Sequence, residues 1–140
     1  MKPIVGTLTE DERRLLVEHR INRAKEARED ARIAFERERF VNTVNRCYYA
    51  MFYMVSALAL FDGFTSSKHK QMLGWFNRTY IASGVLNVEL KNILVYAFDS
   101  RDDGDYQDWK TFSQEEVAQL CNDTDFFLRE LEAFITTKMP

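Results

Sequence analysis

Residues Val41 to Gly63 read VNTVNRCYYAMFYMVSALALFDG. About two-thirds of this stretch is apolar, and Asn45, Arg46, Tyr48, Tyr49 and Tyr53 all fall in or near its first half. Val41, Val44, Tyr48, Met51, Val55 and Leu58 recur at alternating steps of three and four, the spacing of a helix with one buried seam. Phe52, Ala59, Leu60 and Phe61 widen the apolar surface almost all round, so the helix must be covered on most sides. At roughly 20 residues the segment is long enough for a bilayer, but Asn45, Arg46 and three tyrosines argue against a membrane span. It is expected to be the central helix of a small soluble bundle, with Gly63 as its C-terminal cap.

The rest of the chain fits that expectation. A length of 140 residues supports one core and is too short for two, so residues 1–140 read as a single domain. Only 5 glycines and 2 prolines occur, and Pro3 and Pro140 sit at the two ends, so an interior without proline and with few glycines reads as nearly all helix. The expected fold class is all-α, an up-and-down bundle of about five helices. The segment Met1 to Thr9 has no long apolar run of the kind a signal peptide needs, and a cytoplasmic location is expected. Cys47 and Cys121 fall inside helical patterns and read as buried free thiols.

Taken in order, Thr9 and Glu12 form a capping box ahead of a first helix running to about Phe35. Its inward seam is Val17, Ile21, Ala24, Ala31 and Phe35, with Ala27 and Ala34 alongside. No glycine marks the turn before Phe40. After Gly63, Ser66 or Ser67 is expected to cap a third helix carrying His69, Met72, Leu73, Phe76 and Tyr80 and ending near Gly84. Asn87 caps a fourth, with the seam Leu90, Ile93, Leu94, Ala97 and then Arg101. A turn is expected at Asp103-Gly104-Asp105. Ser113 and Glu116 make a second capping box, followed by Val117, Leu120, Thr124, Phe127, Leu131 and Phe134. Aromatics are abundant for a bundle of this size, so Trp75, Phe76, Tyr80 or Phe98 are expected to be buried between two copies of the chain.

Charge is uneven. Residues 1–46 hold eleven basic and nine acidic groups, whereas residues 98–140 hold four basic and eleven acidic. The basic end reads first as a solvated helix face with Arg–Glu pairs, and second as a surface for a phosphate-bearing partner. Arg101 extends an apolar seam by one helical step, so it points toward the bundle and needs a carboxylate such as Asp105, an acceptor on another helix, or a ligand phosphate. The run Asp99, Asp102, Asp103, Asp105, Asp108 departs from the calcium-loop pattern, because Arg101 occupies its third position and no Glu closes it. His19 and His69 have no Cys or His at ligand spacing. No metal and no cofactor are expected. His69 is expected to be a core histidine, hydrogen-bonded toward the central helix.

Three blocks together resemble one family. Asn45-Arg46-Cys47-Tyr48-Tyr49-Ala50-Met51-Phe52 is similar to the N-R-x-Y-Y-A-x-F block of HEPN domains, Ser67-Lys68-His69 to their K-H block, and Arg101 to Tyr106 to their R-x-x-x-D-Y block. The resemblance covers the chain from about Glu10 onward. It implies a five-helix bundle that forms homodimers and is commonly the partner of a minimal nucleotidyltransferase in a toxin–antitoxin or nucleotide-linked pair. Many relatives are metal-independent ribonucleases using an arginine, four to six residues, then a histidine. Arg101 matches that arginine, but Tyr106, Gln107 and Asp108 occupy the histidine spacings. A tyrosine with an ordinary pKa of about 10 is a poor base at neutral pH, and Asp105 is a weak substitute.

The resulting expectation is a non-enzymatic dimeric module that binds a nucleotide or phosphate through Arg101, Tyr106, Asp105, Arg46 and His69. The alternatives are a ribonuclease toxin with a degenerate motif, using Arg101, Asp105 and Tyr106, and a purely structural interaction domain.

Overall fold

The computed structural model describes residues 8–106 and 111–139, with side chains for 8–101 and 111–139. Five α-helices follow one another: α1 Glu10–Glu36, α2 Phe40–Phe61, α3 His69–Phe76, α4 Val88–Tyr106 and α5 Gln114–Lys138. No strand occurs among the described residues. A single wide turn, Asn77–Ile81, prolongs α3 before Gly84 reverses the chain at φ +81°.

Helix starts follow the local chemistry. Thr9 and Glu12 exchange hydrogen bonds of 2.9 and 3.1 Å at the head of α1, and Ser113 with Glu116 repeats the arrangement at α5. Asn87 Oδ1 accepts from the Glu89 N–H at 2.8 Å at the start of α4. Neither Ser66 nor Ser67 caps α3, whose N-cap is Lys68. Ser66 instead accepts from the Lys68 N–H and donates to Gln71, a local turn that competes with a cap. Nor does the chain turn at Asp103-Gly104-Asp105, because α4 continues through these residues to Tyr106. One glycine costs a helix only about 1 kcal/mol, too little to end it unaided.

Helix α2 is the axis. Met54, Val55, Ala57, Leu58 and Ala59 are fully buried, and Leu60 nearly so, which leaves no open face along this part of the helix. Of its expected seam, only Val41 is exposed, since it lies in the first turn, at the end of the bundle. Helix α1 runs antiparallel along α2, as the contacts Arg20–Ser56 and Arg23–Tyr53 show. Its small residues Ala24 and Ala31 are fully buried and permit the close approach. Helix α5 lies parallel to α2 and is tied to α1 by the two-pronged Arg28–Asp125 pair at 2.6 and 3.1 Å. Cys47 and Cys121 are free and buried, with Sγ atoms 3.9 Å apart. The hydrogen bond to Cys121 and burial together push the Cys47 thiol well above its ordinary pKa.

Trp75, Phe76 and Tyr80, expected between two copies, are buried inside one chain. Trp75 stacks on Phe64 at 5.2 Å, Phe76 meets Phe127, and Tyr80 meets Phe134 and donates its hydroxyl to Asp62. The short α3 segment thus fills the space between the loops and α5 with rings, which absorbs the aromatic surplus within the monomer.

The two ends of the α1–α2 region contrast instructively. After α2, Gly63 takes φ +85°, and the Phe64 and Gly63 amides return to Ala59 and Leu60 carbonyls at 2.8 and 3.1 Å. After α1 the same pattern recurs, with Arg39 and Glu38 amides on Ala34 and Phe35 carbonyls at 2.9 Å each. Here the left-handed residue is Glu38 at φ 57°, so the sequence carries no glycine to mark the turn. Replacing Glu38 by Gly should therefore raise stability by up to about 1 kcal/mol, while Gly63→Ala, which meets no neighbouring atom, should lower it by about 1 kcal/mol through backbone strain alone. Urea denaturation of both variants checks the opposite signs.

Candidate functional site

The first half of α2 places its aromatic residues in two rows. Tyr48 and Phe52, four residues apart, share one side, and Tyr49 and Tyr53 share the next. Tyr48 is fully buried, while Tyr49, Phe52 and Tyr53 are half-buried at the edge of the core. Three other segments converge on them.

From α3 comes His69. Its Nδ1 lies 2.7 Å from the Tyr48 hydroxyl, which meets the expectation of a hydrogen bond to the central helix. The imidazole stacks on Phe52 at 4.2 Å and 14°, with Tyr49 edge-on at 5.6 Å. From α4 come Phe98 and Arg101, one helical turn apart. The Arg101 guanidinium sits 5.0 Å from the Tyr48 ring, 5.4 Å from Phe98 and 6.0 Å from Tyr49, and Nη1 is 3.5 Å from the Tyr49 hydroxyl. Arg101 thus does reach an acceptor on another helix, and faces of aromatic rings receive its charge. From α2 itself, Arg46 lies 5.0 Å from the Tyr49 ring and is steadied by Asn45 Oδ1 at 2.7 and 3.0 Å. Tyr49 therefore meets two guanidinium groups.

The electrostatics follow from this packing. Burial pushes the Tyr48 phenol above its ordinary pKa, against the pull of Arg101, so the phenol stays protonated at neutral pH. Burial, and then the Arg101 charge, push the His69 imidazole below its ordinary value, so His69 is neutral at pH 7. The site accordingly combines the guanidinium groups of Arg101 and Arg46 with a neutral imidazole and the protonated Tyr48 phenol. That combination can hold a phosphate and offer it hydrogen bonds.

Of the expected site residues, Arg46, His69 and Arg101 are brought together. The side chains of Asp105 and Tyr106 lie outside the described residues, as does most of the acidic run beyond Asp99. Among the described residues no group of three His, Cys, Asp or Glu is arranged to hold a metal ion. Two contributors were not legible as site residues. Phe98, expected at a dimer contact, is a wall of the Arg101 site, and Tyr48, expected in the seam, is the hydrogen-bond partner of His69. The signal available in the sequence was the three-residue spacing of Phe98 and Arg101.

These elements define a helical domain with an arginine held against aromatic rings, and comparison with known proteins gives its family. The HEPN domain model matches residues 17–134, and the chain belongs to that family. It is 37% identical over 125 residues to a UPF0332 protein of Thermotoga maritima, covering 89% of this chain and 95% of the relative. A protein of Methanocaldococcus jannaschii named a "putative toxin" is 29% identical over 122 residues, covering 87% of this chain and 83% of that one. A UPF0332 protein of Gloeobacter violaceus is 31% identical over 100 residues, covering 71% and 79%. No described helix is long and apolar enough to cross a membrane.

The His69 environment makes a checkable demand. Because its pKa is lowered on folding, the unfolded chain takes up the proton first as pH falls. Stability is then present in full above the unfolded value of about 6.5 and declines as pH drops toward the folded value. Urea denaturation of the wild type should show this loss, and His69→Gln should flatten it. An identical pH slope in both proteins would show that His69 titrates alike in the folded and unfolded states.

Proposed function

We propose that this HEPN domain is the toxin-like member of a toxin–antitoxin-type pair and acts as a dimeric module that binds a phosphate-bearing ligand, with a minimal nucleotidyltransferase as its partner protein. The observation that carries the binding role is the convergence of Arg101 and Arg46 on one tyrosine, beside a neutral His69. Aromatic faces hold the Arg101 guanidinium in place, so little side-chain entropy is left to lose when a phosphate arrives. The relatives named as toxins and the three matching blocks support the pairing with an antitoxin. Asp105 and Tyr106, one turn further along α4, are proposed as ligand contacts on the strength of the R-x-x-x-D-Y block alone. Tyr106 is also a candidate acceptor for a nucleotidyl group from the partner.

One observation favours a second reading, metal-independent RNA cleavage. The base missing from the position of Tyr106 has a spatial substitute in His69, which is neutral and close enough to Arg101 to feel its charge. A neutral imidazole is the right species to take a proton from a ribose 2′-hydroxyl. Against it, the imidazole is stacked on Phe52 and its Nδ1 is engaged by Tyr48.

Two measurements decide between them. Arg101→Ala should weaken mononucleotide binding at this site, read from the His69 ring protons, by about 10-fold or more while unfolding stays cooperative, since the lost contact is charge-assisted. A collapse of the melting temperature with ligand affinity unchanged would make Arg101 a structural residue and favour a pure interaction domain. Purified protein incubated with mixed RNA in EDTA should show no efficient cleavage. Robust cutting lost in both Arg101→Ala and His69→Gln would establish the nuclease reading instead.

A further inference from the structure

A cavity of about 420 Å³ opens between α1 and the α2–α3 connection, with Phe52 on its wall. His19, Arg20 and Arg23 line it from α1, Phe52 and Tyr53 from α2, and Ser66 from the connection. Spacings of three and four residues bring the three basic side chains to one side of α1.

The arginines here differ from the other paired cations of the bundle. Arg28 meets Asp125, Lys25 meets Glu132, Arg32 meets Glu29, and Lys138 meets Asp62. Arg20 and Arg23 meet no carboxylate among the described residues. Arg20 Nη1 donates to the Ser56 carbonyl at 3.3 Å, and Arg23 Nη2 donates to the Tyr53 hydroxyl at 3.1 Å, its guanidinium 4.7 Å from that ring. No Asp or Glu among the described residues lines the cavity. Each guanidinium has five N–H donors, and these contacts occupy one apiece. Arg20 is also half-buried, and the loss of water pushes its pKa below the ordinary value. A cation partly stripped of water, on the wall of a cavity without carboxylates, gains most from an anion that enters it.

We propose that this cavity is a binding site for a nucleoside 5′-phosphate, separate from the Arg101 cluster. Arg20 and Arg23 hold the phosphate, with His19 beside them. Ser66 and its neighbouring hydroxyls face the sugar, and Phe52 supplies an apolar wall for the base. The volume lies within the range of about 300–1,000 Å³ usual for small-ligand sites. Phe52 also stacks on His69, so a base seated against Phe52 is one ring away from the His69–Tyr48–Arg101 set. Occupancy of this cavity is therefore coupled to the first site through that ring, and the coupling is reciprocal.

The test is an NMR titration of the purified protein with AMP, with adenosine, and with a short RNA carrying a 5′-phosphate, following the ring protons of His19, which lines this cavity and is not part of the Arg101 cluster. AMP should give a saturable shift that adenosine does not. Arg23→Gln, at an exposed position, should weaken it by about 10-fold, and Arg20→Gln likewise where it remains folded. Arg101→Ala should leave the AMP affinity read at His19 within about 2-fold while the response at the Arg101 cluster is lost, which separates this site from the one proposed above. Saturation by AMP assigns a free nucleotide; saturation only by the 5′-phosphorylated RNA assigns an RNA end in the same cavity. Absence of a saturable His19 response to either, unchanged affinity at His19 in a folded Arg23→Gln, or loss of the His19 response with Arg101→Ala would each overturn the proposal.

Discussion

Burial of α2 is the constraint from which the architecture follows. From Met54 to Leu60 the helix has no side that water reaches, so it is stable only when other helices enclose it. Helices α1 and α5 cover much of it, α4 another side, and α3 with its wide turn closes the end near Phe61. Truncating a buried member such as Leu58 would cost about 2–5 kcal/mol, because a cavity inside a helix packed all round has few ways to collapse. Buried polar groups on this axis are satisfied locally: Thr43 and Ser56 donate to carbonyls on their own helix.

The same helix changes character along its length. Its second half is purely core, whereas its first half combines core positions with tyrosines and an arginine at the surface. Tyr48 shows how the two are joined, since its ring is fully buried and its hydroxyl reaches His69. The site is thus built on rigid helical backbone, with ring packing setting the positions of its charged groups. Arg101 is held against the faces of the Tyr48 and Phe98 rings.

Phe52 occupies a particular place in this arrangement. Its ring packs against His69 in one site, and it lines the arginine-bearing cavity beside α1. Substitution there would be felt in both. A ring shared in this way lets packing alone carry coupling between the two proposed sites, with no need for a moving domain.

Much of the fold was legible from local sequence. The three-and-four spacing of Val44 to Leu58, the capping pairs Thr9–Glu12 and Ser113–Glu116, and Gly63 report on interactions within a few residues of each other. Where local signals were ambiguous, the structure departed from them: Glu38 turns the chain without a glycine, Lys68 starts α3 beside two serines, and Gly104 does not stop α4. The site was legible in part. Arg46, His69 and Arg101 stood out by residue type and by family blocks, but their meeting on Tyr48 and Tyr49 joins residues 21 to 52 positions apart. Such contacts depend on how whole helices pack, as does the separation of Arg20 and Arg23 from the carboxylates of the described residues. The sequence by itself determined which segments are helical and which faces are apolar, because those depend on near neighbours. Only the tertiary structure decided which charges share a cavity, because that depends on the angles and offsets at which the helices pack around α2.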